Sequence, residues 1–138
     1  MILGLAESGK STIIRSVIEG EKPKLGERYE ATIRYQRKRK KIAGTELIIF
    51  DLGGQVRFLD RFIGDLSEFI FSEVSTFIFV IEPMKVAEFT RAKYYLEVSL
   101  EKLQQYSPNT IVYALVHKVD LIPSKLVEKV TNDVKKYL

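Results

Sequence analysis

The sequence predicts an α/β fold: a three-layer sandwich with a mostly parallel sheet between helices. Three observations carry this reading. Short apolar runs alternate with amphipathic helical patterns along the whole chain. The runs "TELIIFD", "STFIFVIE" and "TIVYALV" are nearly continuous rather than alternating, which is the pattern of parallel strands covered on both faces. One further strand-like stretch, residues 32 to 40, is largely polar and reads as an edge strand, running antiparallel to the rest.

The elements follow in order. "MIL" is a short strand that enters a glycine turn. Residues 11 to 19 place Ile13, Ile14, Val17 and Ile18 on one helical face. "GEKPKLGERYEA" is a polar loop with Gly and Pro. The edge strand and then "TELIIFD" come next. Residues 57 to 72 form a helix with Leu59, Phe62, Ile63, Leu66, Phe69 and Ile70 on one side. "STFIFVIE" is a buried strand. Residues 85 to 106 form a long helix, because Val86, Phe89, Ala92, Leu96, Leu100 and Leu103 recur at three- and four-residue spacing. "TIVYALV" is the next buried strand, and residues 124 to 138 a helix with Val127, Val130 and Val134 inward. No internal repeat or low-complexity segment interrupts this order.

Composition narrows the function classes. A chain of 138 residues is one domain by length, and 46% hydrophobic residues suffice for a core. The absence of cysteine excludes a disulfide scaffold and a Cys-ligated zinc site. No apolar run approaches a membrane span, and no leader or lipidation motif is visible, so a cytoplasmic location is the expectation. The net charge of +4 is local. "RYQRKRKK", residues 34 to 41, holds six basic residues, and removing six of 22 leaves 16 against 18 acidic. Such a run can bind nucleic acid, lipid or an acidic partner. Protection of an edge strand by charge is the simpler account, since only Tyr35 offers an aromatic for stacking.

The chemistry starts after the first strand. "GLAESGKST", Gly4 to Thr12, fits G-x-x-x-x-G-K-[ST]. Backbone N–H groups of such a loop, here from Glu7, Ser8, Gly9, Lys10, Ser11 and Thr12, wrap a phosphate chain. Lys10 adds a cation at the outer phosphates, Ser11 a hydroxyl for Mg²⁺, and the helix that follows its positive dipole end. The alternative is an ordinary strand–turn–helix junction. In "IIFDLGGQ", Asp51 ends a strand and can hold Mg²⁺ through water, as in P-loop NTPases. Gly54 can offer its N–H to a terminal phosphate, and Gln55 can orient an attacking water. The plain alternative is a glycine turn capping a strand.

The third motif is "VHKVD" after the last strand. A carboxylate at Asp120 accepts two hydrogen bonds from a guanine edge, where adenine presents the opposite pattern. The stem of Lys118 can lie flat on the base. His117 stands where Asn is usual, and it can still donate and accept hydrogen bonds to brace the two loops. A lone His at a strand end would carry no such meaning without the rest of the motif.

The order "GLAESGKST", "ATI", "FDLGGQ", "VHKVD" resembles a Ras-superfamily GTPase. Gly-Gly-Gln is similar to the Arf and Gα branches. The His-Lys-x-Asp loop, "FDLGGQVRFLDRFI", "SEVSTFIFVIEP" and "YYLEVSLEKLQQYSPNTIVYALVHKVDLIP" resemble the Rag/Gtr GTPases in particular. The resemblance implies a P-loop fold and a guanine-nucleotide switch that binds GTP or GDP with Mg²⁺. In that switch Thr32 is the switch-one threonine on the metal, residues 52 to 74 are switch two, and Gln55, Lys10 and Thr32 serve hydrolysis. It further implies regulatory partners (an activator, an exchange factor or a scaffold), a dimer partner, and contact with membranes only through partners. No nucleic acid is expected. A nucleotide-stabilised interaction subunit with little hydrolysis is the competing class, and Gln55 and Thr32 count against it. An ATP-using enzyme is a further competitor, and Asp120 counts against that.

Three departures bear on these expectations. Residues 1–138 read as one GTPase domain without the last strand, the further base loop and the last helix of the family. The first strand is short. The C-terminal dimerisation domain of Rag/Gtr proteins has no counterpart in this stretch. At the position where Gα proteins carry a catalytic Arg stands Tyr29, with Arg28 one residue too early, so slow intrinsic hydrolysis is expected.

Overall fold

The computed structural model describes residues 1–22, 35–42 and 45–137. Five strands form one sheet in the order β2-β3-β1-β4-β5. β1 is Ile2–Leu3, β2 Tyr35–Ile42, β3 Thr45–Leu52, β4 Thr76–Ile81 and β5 Ile111–Val116. β1 pairs parallel with both β3 and β4, and β4 pairs parallel with β5. Among the described strands only β2 runs antiparallel, as a hairpin with β3 that sets Arg37 opposite Phe50. The expected strand at 32 to 40 thus lies at 35–42, and its first three positions fall outside the described residues.

Alternation along the strands sorts side chains into two layers. Ile2, Ile78 and Val80 point to the face covered by helix α1, Lys10–Ile13, whose extension Ile14–Glu19 winds more widely; there they meet Ile14. Leu3, Phe77, Phe79 and Ile81 point to the opposite face. Helices α2 (Val56–Ile63), α3 (Ser67–Phe71) and α4 (Phe89–Tyr106) cover that side, and α5 (Ser124–Tyr137) adds Val134 to the same core. Phe62, Phe71, Phe77 and Phe79 are fully buried, each contributing about 1.5–3 kcal/mol by area. Tyr95 of α4 donates to Asp60 Oδ1 at 2.6 Å and so pins α2 onto α4. Burial, together with that carboxylate, raises the Tyr95 phenol far above its ordinary range.

Several elements differ from expectation for identifiable reasons. The helix expected over 57 to 72 breaks at Gly64, whose N–H closes α2 on Asp60 O and whose carbonyl starts α3 from Ser67. Phe69 is consequently exposed, while Phe58 and Phe71 are buried. The wide turn after Ile13 shifts the helical phase, so Val17 faces outward although a 3.6-residue period places it inward. α4 begins at Phe89, and Val86 ahead of it is exposed. β5, read as a buried strand, is the sheet edge among the described residues, with Ile111, Val112, Tyr113 and Leu115 all exposed. An apolar run looks the same in sequence whether or not something lies against it. The basic strand β2 is the other edge, where Lys38 pairs with Glu19 and Arg37 lies over the Phe50 ring at 5.6 Å.

Candidate functional site

Because β1, β3, β4 and β5 run parallel, their C-terminal ends deliver four loops to one edge of the sheet. These start at Gly4, Gly53, Glu82 and His117. The chain crosses from β3 over β1 to β4, so a crevice opens between β1 and β4, the place where open α/β sheets receive ligands.

The loop from Gly4 to Gly9 wraps around the head of Lys10. The Lys10 ammonium donates to the carbonyls of Gly4 and Leu5, both at 2.8 Å, and reaches Ser8 Oγ at 3.4 Å. Lys10 is 6% exposed. Burial pulls its pKa from 10.5 down to about 8; Asp51 opposes that shift, and Lys85 adds to it. Gly9 takes φ +98° and opens α1. A Cβ there would stand 2.2 Å from His117 Nδ1, so only glycine admits the His117 ring.

Strand parity brings Asp51 to the α1 face, where Ser11 Oγ donates to Asp51 Oδ2 at 3.1 Å. Asp51 is 2% exposed. A buried carboxylate beside a hydroxyl is a pair of hard oxygen donors. That pair fits Mg²⁺, which takes few protein ligands and fills its octahedron with water and phosphate oxygens. Gly54 packs its backbone directly on the first loop. A Cβ there would fall 2.4 Å from Leu5 C and 2.5 Å from both Ala6 N and Gly4 O. Gln55 follows as the N-cap of α2, its carbonyl accepting from the N–H groups of Phe58 and Leu59.

The fourth loop reaches back to the first. His117 Nδ1–H donates to Ser8 O at 3.0 Å, an arrangement that assigns the tautomer. Lys118, in left-handed backbone at φ +60°, donates to Glu7 O at 2.7 Å and to Glu82 Oε2 at 3.0 Å. Asp120 lies exposed in a single turn, Val119–Leu121. Thr12 sits half-buried on α1. Thr32, Arg28 and Tyr29 lie outside the described residues.

The structure therefore gathers Lys10, Ser11, Asp51, Gly54, His117 and Lys118 around one loop. Two charged residues given no role in the sequence reading join them. Glu82 directly follows β4, and Lys85 bonds Glu7 Oε2 at 2.9 Å. Burial lowers the Lys85 pKa, but Glu7, Glu88 and Glu82 outweigh it and hold the group above its ordinary value. The readable signal for both was position. A charged residue straight after a parallel strand must lie at the same edge as the glycine loop.

The family model for the Gtr1/RagA G protein conserved region matches residues 1–138. The GTP-binding protein gtr1 of Schizosaccharomyces pombe is 28% identical over 139 residues, covering 100% of this chain and 45% of the relative. The Ras-related GTP-binding protein A of Dictyostelium discoideum is 27% identical over 128 residues, 89% of this chain and 41% of the relative. The Ras-related GTP-binding protein B of Rattus norvegicus is 32% identical over 76 residues, 55% of this chain and 20% of the relative. The chain spans less than half the length of these curated relatives.

Proposed function

The chain belongs to the Gtr1/RagA G protein family, and from that premise we propose that it is a guanine-nucleotide switch that hydrolyses GTP slowly and works with an activating partner. The observation that carries this reading is the contact of the 117–120 loop with the Gly4–Thr12 loop. His117 on Ser8 O and Lys118 on Glu7 O hold the loop that carries Asp120 against the glycine loop, which supports a base-reading carboxylate and a phosphate cradle serving one nucleotide. The relatives' names, as GTP-binding proteins, agree with it.

In this reading the N–H groups from Glu7 to Thr12 hold the phosphates, and Lys10 exchanges its loop carbonyls for phosphate oxygens. Ser11, Asp51 and Thr32 hold Mg²⁺, which supplies charge neutralisation when bound. Gly54 donates its N–H toward the terminal phosphate, Gln55 orients water, and Asp120 with Lys118 reads guanine. No helix among the described residues is long and apolar enough to cross a membrane; a cytoplasmic site of action, peripheral to membranes only through partners, is part of the proposal. So are regulators and a dimer partner that engage the longer protein.

Equilibrium binding of labelled GDP, GTP and ATP tests the reading. Guanine nucleotides bind far more tightly than ATP, and Thr32→Ala weakens GTP more than GDP. Equal affinity for ATP and GTP ends the guanine assignment. Tight GTP binding with no hydrolysis under any partner leaves the interaction-subunit function in its place.

A further inference from the structure

Four charged residues from three loops close a ring beside the crevice. Glu82, directly after β4, accepts from Lys118 at 3.0 Å and lies 3.8 Å from Lys85. Lys85 bonds the Glu7 carboxylate at 2.9 Å and approaches Ala6 O at 3.5 Å. Lys118 completes the ring on the Glu7 carbonyl at 2.7 Å. The Glu82 side chain is 12% exposed, against 80% for Glu7, so Glu82 is the sheltered anchor and Glu7 the solvent-screened arm. Among the described residues, three that are not glycine take left-handed backbone: Glu7, Glu73 and Lys118. Two of these three are the ones that the Lys118–Glu7 bond joins. Left-handed backbone without glycine persists only where neighbours hold it, and Glu82 is the fixed charge that holds Lys118.

We propose that Glu82 is a positioning residue for nucleotide retention: by anchoring Lys118 and Lys85 it locks the base loop and the phosphate loop into one unit that keeps or releases the nucleotide together. The proposal rests on the guanine-nucleotide reading above. Without the Glu82 carboxylate, Lys118 loses its charged partner and the two loops open independently. Release of bound GDP then quickens, because either loop can let go first.

The test is the dissociation rate of a fluorescent GDP from the protein, displaced by excess unlabelled GDP. Glu82→Gln, close in shape and without charge, is expected to release GDP about tenfold faster, as loss of a charge-assisted bond implies. Glu82→Asp keeps the charge and recovers most of that loss. In a Lys118→Met background, Glu82→Gln adds clearly less than it does alone, whereas a merely structural role gives additive effects and a lower melting temperature. A wild-type protein that binds no GDP overturns the reading beneath the proposal. A wild type that holds GDP, with Glu82→Gln releasing it at the wild-type rate or additively with Lys118→Met, overturns the proposal alone. Should Glu82→Gln fail to fold, Lys85→Met carries the test: faster GDP release is expected, and wild-type release refutes the proposal.

Discussion

The two loops that meet at the site are built in opposite ways. The Gly4–Thr12 loop is internally satisfied: Lys10 is buried on its carbonyls, Ser8 is buried, and Gly54 closes its side by backbone contact. The His117–Ile122 loop is open. Val119, Asp120 and Leu121 are exposed, and the loop's order comes from His117 and Lys118 gripping its neighbour. The difference teaches that the first loop is held by its own carbonyls and by backbone packing, whereas the second takes its order from the first. Substitutions on the first loop therefore act directly. Those on the second act both on the base and through the grip.

The largest expected effect tests whether the phosphate side also carries the rate. Gln55→Leu is predicted to remove nearly all partner-accelerated hydrolysis, a step that a supplied arginine raises by about 10³–10⁵, while GTP binding stays within a few-fold. Single-turnover assays with and without an activator measure it, and an unchanged accelerated rate moves the water-orienting role elsewhere. Next, Lys10→Ala costs about 1.5–3 kcal/mol, a charge-assisted contact, and so at least about tenfold in affinity for GDP by calorimetry. Binding at wild-type strength would show that the self-satisfied loop is not the phosphate site.

On the base side, Asp120→Asn is expected to move preference from guanine to xanthine nucleotides by about tenfold, the loss of one charged hydrogen bond. Competition between GDP and xanthosine diphosphate reads it out. His117→Ala breaks the grip without touching a base, so a weakening of about threefold is expected, shared equally by GDP and xanthosine diphosphate, with His117→Asn closer to wild type. An effect of His117→Ala confined to one base would contradict the bracing role.

The smallest effect is a proton. Burial on its own loop holds the Lys10 pKa at about 8, below its ordinary 10.5. Folding therefore disfavours its charged form by about 3 kcal/mol. That penalty is fully present below pH 8 and fades as pH rises toward 10.5, because there the unfolded chain binds the extra proton, so Lys10 makes stability rise with pH across that window. Phosphates raise the pKa again. At pH about 8.5 GDP binding takes up a fraction of a proton, and at pH 7 little. Calorimetry in two buffers of different ionisation enthalpy separates the cases.

Legibility of the sequence followed the same divide. The glycine loop, Asp51 at a strand's end and the alternation of strands with helices were readable because each depends on local pattern: a fixed spacing, a strand's end, apolar runs between amphipathic helices. His117 as a brace followed from its place in the motif, and the structure sets it against Ser8. Glu82 and Lys85 were invisible as partners because the bonds that tie them to the neighbouring loops join residues 36 (Glu82 to Lys118) and 78 (Lys85 to Glu7) apart in sequence, where no periodicity reports. The break at Gly64 and the wide turn after Ile13 were missed because a 3.6-residue pattern cannot show a change of phase. The bare faces of β5 were missed because hydrophobicity records what a strand tolerates, not what covers it.

The strand order has a consequence for how the chain comes together. The β2–β3 hairpin joins residues adjacent in sequence, so its loop closure is cheap and early. β1 is only two residues long yet lies at the centre, between β3 and a strand that begins at Thr76. Its second neighbour does not exist until more than half of these residues have been synthesised. The glycine loop hangs from β1, so its framework cannot be fixed before β4 docks. During synthesis the chain would pass through a stage with a formed hairpin and an unanchored glycine loop. In that stage the earliest segment waits for a later one before it finds its place between β3 and β4.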